Sequence, residues 1–145
     1  MKRTRVSGVV LVLMVCAVAV ASADSGTIWD KQINGKGRFE VRRQFNAHGR
    51  CNRLTTGDRL GWRLPTLQEL ASLVDPSAAD APTLPAGHPF ENVQTFFPYW
   101  SATTTASDTS SAWTVNFSNG GLIGVGKHNG MLVWCVRGGQ GVDPQ

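Results

Sequence analysis

The sequence predicts an α+β domain on three observations. A well-marked short helix follows "WRLPT", β-rich runs gather towards the C-terminal end, and Asn-Gly pairs separate those runs as hairpin turns. The order of elements is a strand, two short helices, long loops, then three or four antiparallel strands.

The first 23 residues have the layout of a secretory signal peptide. "MKRTR" is a basic start, "VSGVVLVLMVCAVAV" an apolar run, and Ala21-Ser22-Ala23 a small-residue cleavage site. The run is shorter than the roughly 18–20 residues of a spanning helix. Val15, before Cys16, is not the small residue of a lipoprotein signal. The expected mature chain is one domain from Asp24 to Gln145, with no membrane insertion after cleavage.

Within it, Asp24 to Gly37 carries little pattern. "RFEVRRQF" places Phe39, Val41 and Phe45 on one face at period two, which suggests a strand interrupted by Arg43. "NAHGRCNRLTTGDRLG" reads as one or two helical turns holding Cys51 and Leu54. After Pro65, Thr66 and Glu69 form a Thr-x-x-Glu capping box, and Leu67, Leu70, Ala71 and Val74 make one apolar stripe. Asp75-Pro76 ends that helix, because a residue before proline resists the helical region. Ser77 to Pro98 is loop. "YWSATTT" reads as a strand and "ASDTSS" as a polar loop. Trp113, Val115 and Phe117 alternate, Asn119-Gly120 turns the chain, "LIGVG" returns, and Asn129-Gly130 leads into "MLVWCVR" as the last strand of a meander.

The formal charge of +4 misleads. Without Lys2, Arg3 and Arg5 the balance is 11 basic against 10 acidic residues, no footprint for nucleic acid. Asp24 to Arg63 holds nine basic and four acidic residues, and Leu64 to Gln145 two and six, which permits a basic face. Cys51 and Cys135 remain after cleavage. In a secreted chain they most simply pair, a reactive or metal-bound thiol pair being the alternative.

No catalytic, metal-ligating or cofactor motif stands out. His48, His88 and His128 lie in loop-like text and read as exposed loop histidines. There is no GxxxxGK and no DxDxDG. Asp75, Asp80, Glu91 and Asp108 could share a calcium ion only if the fold gathers them. Asn116-Phe117-Ser118 matches a glycosylation sequon. Trp62, Trp100, Trp113 and Trp134 fall in or beside predicted elements and read as core; Trp29 is the ring a core needs least, yet there too core is the reading preferred over a sugar-stacking platform.

Together, "GWRLPTLQELASLVD", "YWSATTT", "AWTVNFSNG" and "VWCVRGG" resemble the Lcl C-terminal domain family, over about residues 51–139. The motif residues are Trp62, Arg63, Pro65, Thr66, Glu69, Trp100 and Arg137. The resemblance implies a C-type-lectin-like fold related to the formylglycine-generating sulfatase modifiers, a Cys51–Cys135 disulfide, and export to the envelope or surface. For the founding collagen-like bacterial adhesin it implies trimeric binding of sulfated polysaccharide. This copy lacks a collagen stalk, and its run from the first strand to Cys51 looks shortened. A cysteine pair committed to a bridge leaves no thiol for formylglycine chemistry. The sugar-binding triplets of calcium-dependent lectins are absent.

The expectation is therefore a non-catalytic binding module without a cofactor, its partner an extracellular polysaccharide or envelope component. The alternatives are a structural assembly module of the envelope and a degenerate copy without ligand. The candidate loops are 92–97, 107–111 and 127–129. In them Lys127 and His128 could meet anions, Asn129 could bond hydroxyls, and Asn92 and Asp108 are further candidates. Arg38, Arg42 and Arg43 could add an anion-binding face. Arg63 is expected to be held by backbone carbonyls or a carboxylate, a task suited to its planar five-donor group.

Overall fold

The computed structural model describes residues 20–21, 27–29 and 41–138. The rest of the expected signal peptide, with Arg38 and Phe39, lies outside these residues. Among the described residues, two short α-helices and two small antiparallel sheets make up the α+β architecture. Strands β1 (Val20–Ala21), β2 (Thr27–Trp29), β3 (Trp62–Arg63) and β7 (Val136–Gly138) form one sheet in the order β1-β2-β7-β3. Strands β4 (Tyr99–Thr105), β5 (Asp108–Asn116) and β6 (Gly121–Gly126) form the other in chain order.

The helices follow different local logic. Helix α1 (Gln44–Asn52) has no side-chain cap, and buries Gln44, Ala47 and Cys51. Helix α2 (Leu67–Ala71) is only five residues long, too short to stand without tertiary support. Its capping box is complete: Thr66 Oγ1 accepts from Glu69 N at 3.2 Å, and Glu69 Oε2 accepts from Thr66 N at 2.9 Å. Beyond Ala71, amides of Leu73 and Val74 reach carbonyls three residues back, so the helix tightens into turns before Asp75. Leu70 and Leu73 are buried, with Leu67, Ala71 and Val74 packed against the same core.

Arg63 braces this cap. Its Nη2 donates to Glu69 Oε1 at 2.7 Å and to the Gly138 carbonyl, and its Nη1 donates to Glu69 Oε2 at 2.8 Å and Leu64 O at 3.1 Å. One carboxylate thus accepts from both the helix cap and a bidentate guanidinium. Nearby, the Trp62 indole donates to Arg59 O at 3.0 Å, and Arg137 Nε to Leu60 O at 2.7 Å.

The apolar residues form two cores. One gathers Trp29, Tyr99, Phe117 and Trp134 with the leucines of α2; the other holds Trp62, Trp100 and the Cys51–Cys135 disulfide. Trp134 is the hub of the first, with ring centroids 4.7 to 5.6 Å from Trp29, Phe90, Tyr99 and Phe117.

Several sequence expectations are corrected. The strand through Phe39, Val41 and Phe45 reduces, in its described part, to a single bridge between Arg42 and Met131. Helix α1 begins at Gln44, which turns Phe45 outward at 85% exposure. "ASDTSS" is mostly strand, because Asp108 already pairs with Thr105. The run "MLVWCVR" does not close the meander: after bridges at Met131 and Leu132 it crosses to the other sheet as β7. There are consequently two small sheets where one was expected. Trp113, expected in the core, is only half-buried, whereas Trp29 is 1% exposed and belongs to the core as expected.

The disulfide joins positions 84 apart, a closure worth about 4–5 kcal/mol in the chain-entropy account. A Cys51→Ser/Cys135→Ser variant should show a large fall in melting temperature, as should reductant on the parent chain. Arg63→Ala should destabilise by about 2–3 kcal/mol in urea unfolding, because it strips partners from Glu69 and Gly138, and Arg63→Lys should recover only part of that loss.

Candidate functional site

The Arg42 backbone is fixed from three sides. Its N–H donates to Met131 O at 2.8 Å, and its carbonyl accepts from Met131 N at 3.1 Å and from the Trp100 indole at 2.6 Å. One residue into α1, Gln44 N donates to Lys127 O at 3.1 Å, and its side-chain amide donates to Ser101 O at 3.1 Å. These bonds set the exposed Arg43, which precedes the first turn of α1, against the Lys127–Met131 turn. Arg42, Arg43, Lys127, His128 and Asn129 therefore share one corner of the molecule, although 84 or more positions separate the two segments.

Lys127 is half-buried, and its ammonium donates to Thr104 Oγ1 at 2.8 Å and Thr109 O at 2.9 Å. Both acceptors are neutral, so the positive charge is oriented without being cancelled by them. His128 and Asn129 are exposed at the turn. His48 faces the same corner from α1: burial, then the Lys127 charge, lowers its pKa, which favours the neutral ring. Sequence reasoning missed His48, because the helix that carries it has a polar, weakly patterned text.

Asp108 joins the corner with its charge tied down. Its carboxylate accepts from Ser111 Oγ at 2.6 Å, and from Ser110 Oγ at 2.7 Å and Ser110 N at 2.9 Å. Those bonds, with a smaller contribution from the Lys127 charge, lower its pKa from 3.8 to about 2. Asn92 stands in a separate loop, at φ 59°, whose Gln94 amide donates to the Tyr99 hydroxyl at 2.8 Å. Two histidines differ from expectation: His48 is helical, and His88 is half-buried and stacked on Phe90. Among the described residues no group of three or more His, Cys, Asp or Glu side chains could hold a metal ion. No described helix is long and apolar enough to cross a membrane.

Two small sheets, two short helices and one disulfide define a cross-linked α+β module whose basic corner is built from loop and helix-start residues. The family model of the Lcl C-terminal domain matches residues 19–137, and the chain belongs to that family. The match extends N-terminal of Cys51, where the recognisable motifs begin. A comparison with curated proteins gave no match.

Because the folded Asp108 pKa lies below its ordinary value, its stabilising contribution is in force above the ordinary carboxylate range. It is lost as pH falls through about 2. A carboxyl NMR titration should place the Asp108 midpoint near there, and Ser111→Ala should move it upward.

Proposed function

We propose that this chain is an exported, non-catalytic binding module that recognises an anionic extracellular polysaccharide through the corner around Arg43, Lys127 and His128. The observation that carries this reading is the reciprocal Arg42–Met131 backbone pairing, which sets basic residues from two distant segments side by side. The oriented Lys127 ammonium adds to it, since its hydrogen-bond acceptors are neutral and only the Asp108 carboxylate, tied to its own serines, offsets part of its field. The basic, apolar and small-residue leader supports export, and the disulfide suits an oxidising compartment. A C-type-lectin-like frame belongs to the same proposal, supported by family membership and by the disulfide that joins α1 to the segment leading into β7.

Binding of the purified chain to heparin, with uncharged dextran as control, tests the reading. Heparin should bind at low salt and weaken steeply at high salt, as attraction between exposed charges is screened. Arg43→Glu should weaken binding several-fold while leaving the melting temperature unchanged, because Arg43 is exposed. Equal retention of both polymers, or none of either, would overturn the proposal.

A further inference from the structure

Strand β6 is the edge of the three-stranded sheet. It carries neither charge nor proline, and Leu122 and Ile123 are 48% and 45% exposed. Sheet edges are normally blunted by lysine, proline or a bulge, because unpaired backbone groups invite another strand. This edge has none of those guards.

The ladder fixes which groups are available. Lys127 N donates to Ser110 O at 2.9 Å, continuing the β5–β6 register in which Ser111 faces Gly126. Hydrogen-bonded pairs alternate along an antiparallel ladder. Gly121, Ile123 and Val125 therefore bond to β5, whereas Leu122 and Gly124 turn both N–H and C=O outward; Gly126 turns its N–H outward, its carbonyl already accepting from Asn129 N at 2.9 Å.

The two ends of β6 differ in charge. Past its C-terminal end stand Lys127 and His128, beside Arg42 and Arg43; Asp108 is there too, its carboxylate turned into its own serine bonds. At its N-terminal end Ser118, Asn119 and Gly120 border a cleft of about 410 Å³ that Asp75 and Asp80 also line.

We propose that β6 pairs with β6 of a second copy of this chain, antiparallel, about a two-fold axis at Gly124. In that register the Leu122 carbonyl accepts from the partner's Gly126 N–H, and Gly124 exchanges both bonds with the partner's Gly124. The turn that carries Lys127 and His128 then lies towards the partner's Asn119-Gly120 turn, on the side of its acidic cleft. Antiparallel pairing sets the basic end of each strand against the acidic end of the other, twice over; parallel pairing would set like against like. The contact is isologous, so it closes after two copies. A six-residue strand pair is small beside the ~1,200–2,000 Å² of stable interfaces, so the dimer is weak and depends on concentration.

Sedimentation equilibrium of the purified chain over a concentration series tests the pairing. The parent chain should associate reversibly to a dimer at low salt and dissociate at high salt. Leu122→Lys gives this edge the lysine guard it lacks, on the face shared with the partner's Gly126, and should be monomeric with an unchanged melting temperature. Asp80→Lys, away from the ladder, should weaken the dimer independently of any effect on the strand. A parent chain that is monomeric at every concentration would overturn the proposal. So would a dimer that Asp80→Lys leaves unweakened, or an oligomer of any order that a natively melting Leu122→Lys leaves intact.

Discussion

The residues from Leu132 to Val136 are buried on both faces, and the rest of the molecule is arranged around that fact. Successive side chains of an extended segment point to opposite sides. Leu132, Trp134 and Val136 enter the aromatic core, while Val133 and Cys135 enter the core that holds the disulfide. A slip of one residue would exchange the two sets, moving Trp134 from its four aromatic neighbours and carrying Cys135 away from Cys51. Disulfide and aromatic cluster therefore enforce the same register from opposite sides. Main-chain bonds of Leu132 with Pro98 and Trp100, and pairing of β7 with β2 and β3, then attach both sheets to the segment.

Attached to this segment is a second constraint, the carboxylate of Glu69. It closes the α2 cap and neutralises Arg63, whose other bonds reach Leu64 and the end of β7. Leu67 N donates to Thr103 Oγ1 at 2.8 Å and Ala102 N to Pro65 O at 2.7 Å, so the start of α2 is also fixed to β4. A five-residue helix persists because nearly every polar group at its start has a partner outside it. The long loop that follows is tied back by Asp75 N to Thr83 O and Thr83 N to Phe117 O, which builds the acidic cleft beside the β5–β6 turn.

Local chemistry was legible in the sequence where the determinant is local. The Thr66–Glu69 box, the strand "YWSATTT" and the turn at Asn119-Gly120 each depend on a few adjacent residues, and Gly120 adopts the φ of 74° that such a turn favours. Partner choice was not legible. Asn129-Gly130 marks a turn, but nothing in it says that the chain continues to Arg42 and Tyr99 rather than back along β6. Period-two spacing at Val41 and Phe45 suggested a strand, yet the helix beginning at Gln44 takes precedence because it buries Ala47 and Cys51. Trp29 sits in unpatterned text, and only its pairing with β7 brings it to Trp134. The basic corner was legible as a set of residues and not as a place, since two reciprocal backbone bonds assemble it.

The charge asymmetry between the two halves of the sequence survives folding in altered form. Lys127 and His128 come from the acidic half yet join the arginines of the basic half at one end of β6, while Asp75 and Asp80 mark the other end. Salt screens exposed charge in either role, anion capture or self-pairing, so salt dependence alone does not separate them. Position does. Lys127 and His128 adjoin the outward edge of β6 and would be drawn into a paired sheet, whereas Arg43 is presented by α1. Polysaccharide capture that tolerates pairing must therefore rest chiefly on Arg43, and capture that rests on Lys127 and His128 must compete with it.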